Sequence, residues 1–377
     1  MRPLLIAALV TLVMIGRARS DEPPLYPGLT PAERILFDQG RIRFQTRETV
    51  ATGLGPVFNA DSCVACHRDP APGGASATFV VRFGRTQHSG EFDPMTEFGG
   101  PVLQANGITV DGCSVAGEVI PPEATIRTRR KTPPLFGLGL VDTIPDREIL
   151  RLADPDDANH DGIAGRVNFV GSRVGRFGWK AQIVTLRQFA ANAYANEIGI
   201  TSPDLPNELN PQGGPVVCDT VPDPEDDGTR IDAVTRFVLL LAPLPRPHAT
   251  AAARAGRVVF RRIGCEACHT KRLRAGPTHP VAAVRGKRVP LYSDLLLHDL
   301  GPALGDGMPQ GFAGPNDFRT APLWGVRASA PYLHDGRAAT LEEAILAHAG
   351  EADAARVRFT DLSPTARAAL IAFLDTL

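Results

Sequence analysis

The chain has 377 residues, with 40 Lys and Arg against 41 Asp and Glu, a formal net charge of −1. That balance gives no electrostatic reason to expect nucleic acid or an anionic membrane as partner, and 43 % apolar with 21 % charged residues excludes wholesale disorder. Length predicts about two domains, while Gly 37, Pro 34 and only 6 % aromatic residues describe a loop-rich chain with few large flat groups for its own core.

In chain order, residues 1–20 read as a secretory signal peptide: Arg2, an apolar run, then the small-x-small triplet Ala18-Arg19-Ser20, with cleavage expected before Asp21. The run is shorter than the ~20 residues that span a bilayer, and no second run of that length follows. The mature chain is therefore expected to be periplasmic, without a membrane span. Thr30-Pro31-Ala32-Glu33 is a capping box with Pro at the first helical position and predicts a helix over 31–44. Residues 78–82 predict a strand, and an apolar helix is expected to end near Leu241, before the proline-rich connection 242–248. Ser363-Pro364-Thr365 caps a last helix with Ala366, Ala369, Leu370 and Phe373 on one face.

Four of the six cysteines fall in two copies of one pattern, Cys63-Val64-Ala65-Cys66-His67 and Cys265-Glu266-Ala267-Cys268-His269. C-x-x-C-H attaches c-type haem: two thiols add across the vinyl groups and the adjacent imidazole meets the iron. A redox-active C-x-x-C has no need of the following His, and zinc would need further Cys pairs. Two covalently bound c-type haems are expected. Cys113 and Cys218 are left over, either as a disulfide of an oxidising compartment or as two free thiols.

The chain repeats itself. Gly40-Arg41-Ile42-Arg43-Phe44 returns as Gly256-Arg257-Val258-Val259-Phe260, and KTPPLFGLG (131–139) as RTAPLWGVR (319–327). FGWKAQIVTLRQFAANAY (177–194) aligns without gaps to YLHDGRAATLEEAILAHA (332–349), giving each half a helix after its C-x-x-C-H. Between these segments, Asp157, Asn159 and Asp161 alternate before Gly162, like the opening of a calcium loop. Position 12 of that loop is Asn168 rather than Glu, so the EF-hand pattern is incomplete.

LFGLGLVDTIPD, DPDDANHDGIAGRVN, GRFGWKAQ, YSDLLLHDLG and the tail PYLHDGRAATLEEAI, beside two haem sites, resemble the di-haem oxidoreductase (putative peroxidase) family of the bacterial di-haem cytochrome c peroxidase superfamily. The resemblance implies a mainly α protein of two cytochrome c-like domains with long loops. These would be 21–245, carrying insertions, and 246–377, each around one haem, with the active site near their interface. Electrons would enter the C-terminal haem from a small donor protein of cytochrome c or cupredoxin type. Hydrogen peroxide or another small oxidant would be reduced at the N-terminal haem. A non-enzymatic di-haem electron carrier, or a di-haem oxidase of a protein or organic substrate, are the alternatives.

The resemblance also places ligands. His67 and His269 are the proximal ones. Counting along the TLEEA motif lands on His348 as sixth ligand of the C-terminal haem, with Met308, His298 and His334 as other candidates. A His there gives bis-His coordination. The position aligned with His348 in the first half is Ala193, which cannot ligate iron, so the N-terminal haem is expected to be open. Glu197 matches the family's glutamate that assists O–O cleavage by moving a proton; Phe189 stands where the family's Gln is expected. His88 is a candidate for a movable distal ligand. Trp179 is placed as an electron relay or as core.

Overall fold

The computed structural model describes residues 22–279 and 281–377; the expected signal peptide lies outside the described residues. Helix α1 (Pro31–Gln45) begins where Thr30 Oγ1 accepts from Glu33 N and Glu33 Oε2 accepts from Thr30 N. A cap of this kind contributes about 1 kcal/mol. Strands β1 (Phe79–Thr86) and β2 (Ile126–Lys131) pair antiparallel with Arg82 opposite Thr128. Helix α2 (Leu186–Ala193) continues into one π turn, Tyr194–Ile198. Helices α3 (Thr229–Leu240) and α4 (Ala251–Arg262) flank the proline-rich connection. Strands β3 (Leu297–Asp299) and β4 (Asp317–Arg319) pair antiparallel, and α5 (Leu341–Ala347) and α6 (Pro364–Leu374) follow.

Helix makes up 31 % and strand 15 % of the chain, so the expected mainly α description is not confirmed. Apart from β1 and β2, the strands are two or three residues long and tie loops together. Such short ladders carry too few residues for a period-2 pattern to register in sequence. No helix among the described residues is long and apolar enough to cross a membrane.

Two helix pairs repeat one packing solution. A Cβ on Gly40 of α1 would lie 2.3 Å from Ala233 O of α3, and one on Gly256 of α4 would lie 1.8 Å from Ala369 O of α6. Only glycine admits such close backbones. One turn on, Phe44 packs 4.9 Å from Phe237 and Phe260 packs 5.3 Å from Phe373, ring centre to ring centre. The segment repeat is equally literal: Phe177 bridges Ile183 as Tyr332 bridges Ala338, 155 residues on.

One apolar core holds Phe37, Phe44 and Phe237 together with Leu291, Leu295 and Trp324 from beyond the proline-rich connection, while a second gathers Phe260, Tyr292, Phe359, Leu370 and Phe373. The first half thus borrows core from the second. Cys113 and Cys218 form a disulfide, Cα to Cα 5.6 Å, tying two loops of the first half.

Candidate active site

Each Cys-x-x-Cys-His sits in a short helical turn over the phenylalanine of its helix pair. The rings of Phe44 and His67 lie 6.3 Å apart, as do those of Phe260 and His269. His67 Nδ1 lies 3.2 Å from Gly74 O and His269 Nδ1 3.0 Å from Tyr292 O. A carbonyl only accepts, so each contact fixes the tautomer with its proton on Nδ1 and its lone pair on Nε2. Burial holds both rings down to about 4, keeping them neutral at physiological pH.

The segments carrying those carbonyls are clamped alike. Leu135 N donates to Gly73 O (2.8 Å) and Thr132 N to Thr78 O (3.0 Å). In the second half Leu323 N donates to Leu291 O (2.9 Å) and Thr320 N to Leu296 O (3.0 Å). The repeated segments 131–139 and 319–327 are therefore the straps that present the ring-holding carbonyls.

All four motif cysteines are half-buried and none joins a disulfide. Burial pushes Cys63 and Cys265 up to about 12 and Cys66 up to about 11, and raises Cys268. Reactive dithiols need the opposite shift, so this burial disfavours a redox C-x-x-C.

His348 is the C-cap of α5, eight residues after the capping Thr340, and its Nδ1 lies 2.7 Å from Ala344 O. It thus takes the same tautomer as His67 and His269. Charges on His348 and His269 oppose one another, so the two rings are electrostatic neighbours. Ala193 holds the matching place, eight residues after the capping Thr185.

Of the other ligand candidates, His298 and His334 are engaged elsewhere. His298 is buried between two carboxylates: Nε2 lies 3.0 Å from Asp294 Oδ2 and Nδ1 2.6 Å from Glu351 Oε2. Burial alone would lower it, but these partners and the Cys268 sulfur raise it to about 12. Met308 is buried in the loop that Asp306 pins through Met308 N, and His334 stacks on Phe318 at 4.0 Å. His88 is exposed in the turn after β1.

Glu197 lies in the π turn after α2, a backbone form often found at functional sites. Its carbonyl accepts from Asn59 N (2.8 Å) and Ala60 N (2.9 Å), and Oε2 accepts from Asn59 Nδ2 (2.9 Å). Burial raises its carboxyl, with Asn59 and the Arg82 charge opposing. Its charge in turn acts on Cys66, so Glu197 and the first motif face one another. A cleft of about 550 Å³ opens here, bordered by Asn59, Ala65, Cys66, Thr78 and Ala105.

Three residues around Glu197 carry no sequence motif. Asn59 holds the carboxylate. Arg82, on the inward face of β1, has a buried Nε with no hydrogen-bond partner, and burial followed by the Arg130 charge lowers it to about 9. Gln104 is buried and donates Nε2 to Asn196 O (3.2 Å), next to Glu197 in the chain.

Trp179 joins the two straps: Nε1 donates to Lys131 O (3.2 Å) and its carbonyl accepts from Arg319 N (2.9 Å). In the Asp157 loop the side-chain oxygens turn inward. Asp161 N donates to Asp157 Oδ1 and Asn159 Oδ1, and Gly162 N to Asp157. The loop is exposed and closes on its own amides.

Residues 109–377 match the family described as "Di-haem oxidoreductase, putative peroxidase"; the first Cys-x-x-Cys-His precedes the matched stretch. Among solved structures, hydrazine synthase of Kuenenia stuttgartiensis is similar at 15 % identity, over 100 % of both chains, with TM-score 0.43. A MauG-like protein associated with microbial copper homeostasis is similar at 18 % identity, over 94 % of this chain and 92 % of that one, TM-score 0.44. The diheme peroxidase BthA from Burkholderia thailandensis E264 is similar at 18 % identity, over 74 % and 94 %, TM-score 0.32. No curated protein matches the chain.

Proposed function

The chain belongs to the di-haem oxidoreductase (putative peroxidase) family, and on that footing we propose that it reduces hydrogen peroxide at a haem held by Cys63, Cys66 and His67, using electrons that enter at a second held by Cys265, Cys268 and His269. The residues fit the group on three counts. Each motif pairs two protonated thiols with a neutral imidazole whose Nε2 lone pair is left for a metal. Each imidazole is oriented by a backbone carbonyl, the outer partner that metal-ligating His requires. Cations that form no ion pair among the described residues, buried Lys131 and half-buried Arg319, stand beside the two motifs, as a cofactor bearing carboxylates would need.

The observation that carries the reading is the contrast at one position of two equivalent helices, His348 on the second and Ala193 on the first. His348, its Nδ1 held by Ala344 O, keeps Nε2 for a metal and would be the further ligand of the haem at His269. Ala193 offers nothing, which leaves the first open to a small oxidant. When bound, the haems supply the electrons and the metal at which oxidant is reduced.

The chain's own part is to orient and to move protons. Asn59 Nδ2 fixes Glu197 Oε2 and leaves Oε1 free of any hydrogen bond among the described residues. Burial favours the protonated carboxyl, while Arg82 favours the carboxylate. Glu197 is thus placed to take a proton from one peroxide oxygen and return it to the other. Two electrons and two protons convert one peroxide to two waters.

Two glycine-locked helix pairs, one in each half, support a division into domains 21–245 and 246–377. The export reading rests on the sequence of residues 1–20, and the Cys113–Cys218 disulfide accords with an oxidising compartment. Asp157, Asn159 and Asp161 would add calcium, a reading that rests on their alternation alone. The test supplies a reduced small cytochrome c or cupredoxin and follows peroxide consumption. Turnover is expected; absence of turnover with both irons six-coordinate would leave an electron carrier instead.

A further inference from the structure

Burying a charged side chain without an ion-pair partner costs several kcal/mol, yet the chain sets two cations without one at equivalent positions, Lys131 buried and Arg319 half-buried. Lys131 opens the first strap and Arg319 the second, 188 residues on, each immediately before the Thr whose N–H closes the strap. Lys131 is buried, and its Nζ reaches only Ser329 O and Ser329 Oγ. Arg319 donates Nε to Gly178 O (2.9 Å) and Nη1 to Thr320 O (3.2 Å). Neither meets a carboxylate among the described residues. The neighbouring cations differ: Arg130 and Lys180 both pair with buried Asp306. Burial is the sole cause that lowers Lys131 to about 8, and burial also lowers Arg319 to about 10.

Each orphan cation belongs to one motif. The Lys131 charge bears on His67. Arg319 feels Asp294, whose N–H donates to Cys268 O (3.0 Å) and whose charge bears on His269. A missing carboxylate is therefore implied once per half, at the same place in the duplicated frame. An external anion gives no reason for the duplication, because only one half offers an open site. A haem brings two propionate carboxylates and is present once per half.

We propose that Lys131 and Arg319 are equivalent propionate-binding residues, Lys131 for the haem at His67 and Arg319 for the haem at His269. The inference rests on the di-haem reading above. Trp179 hydrogen-bonds the backbone of both, so the two anchors are held in one frame.

The test is a crossed redox titration of the purified holoprotein, after mass spectrometry has counted the haems. Lys131→Gln is expected to lower the reduced-to-oxidised ratio of the first haem at fixed potential about tenfold, some 59 mV for a one-electron couple, and to leave the second unmoved. Arg319→Gln is expected to do the converse, and Arg127→Gln, exposed on the same strand as Lys131, to move neither. In Lys131→Arg and Arg319→Lys, which keep the charge, the propionate bending mode of the matching haem should shift in resonance Raman spectra. Potentials that stay put or move together would overturn the inference. So would wild-type potentials that depend on added formate, the sign of an external anion. A chain lacking the haems would overturn the di-haem reading as well, whereas unmoved potentials in a chain with both would overturn this one alone.

Discussion

The ring of Phe44 lies 6.3 Å from that of His67, tilted by 54°, and this relationship recurs between Phe260 and His269 at 6.3 Å and 55°. In each case the phenylalanine is set by a glycine four residues earlier, through which two helix backbones nearly touch. Glycine, phenylalanine and histidine form one structural unit, built twice.

Gly40→Ala and Gly256→Ala should therefore destabilise the protein, because the new Cβ meets backbone that cannot yield. Overpacking of this kind costs about 1–3 kcal/mol, which for a chain of this length unfolding as one unit is about 1–4 °C in Tm. Thermal melts followed in the haem absorbance and in far-UV dichroism give the answer; unchanged Tm in both variants would contradict the packing account.

Glu197→Gln should lower peroxide turnover by about 10²–10⁴, the usual contribution of positioned proton transfer, with haem content unaltered. Asn59→Ala should act in the same direction and less strongly, since it removes the group that orients Oε2 but not the proton carrier. Turnover equal to wild type in Glu197→Gln would remove that carboxyl from the reaction.

The pH dependence of stability has a definite sign. His67 and His269 are held near 4 by burial, below the ~6.5 of an unfolded chain. Their contribution is whole above pH ~6.5 and is lost as pH falls toward about 4, because only the unfolded chain takes up the protons. His298, raised to about 12, works in reverse: its contribution is whole below ~6.5 and declines as pH rises above that value. Denaturant midpoints at pH 7.5, 6 and 4.5 should fall in that order; a flat profile would contradict the buried neutral imidazoles.

The duplicated frame was open to sequence reading because its marks are local: a G-x-x-x-F spacing, a C-x-x-C-H, a Thr cap eight residues before His348 or Ala193. The neighbours of Glu197 were not. Asn59, Arg82 and Gln104 are 138, 115 and 93 residues away in the chain and reach it through a π turn and a β ladder that leave no motif. The clamp on His298 was equally hidden, since Glu351 lies 53 residues on. The strand share was underestimated for the same reason, as its ladders are short and pair distant loops.

His348→Ala isolates the second site. If His348 closes that haem, the variant should show a second high-spin signal while the first haem is unchanged. An unaltered spectrum would mean that another side chain supplies the ligand.

The central claim is that one iron is closed and the other open, and redox-poised EPR of the wild-type protein with and without peroxide counts them directly. One bis-His low-spin signal that ignores peroxide, beside an equal amount of a second signal that peroxide abolishes, is the predicted result. Two low-spin signals in every redox state, both indifferent to peroxide, would contradict it.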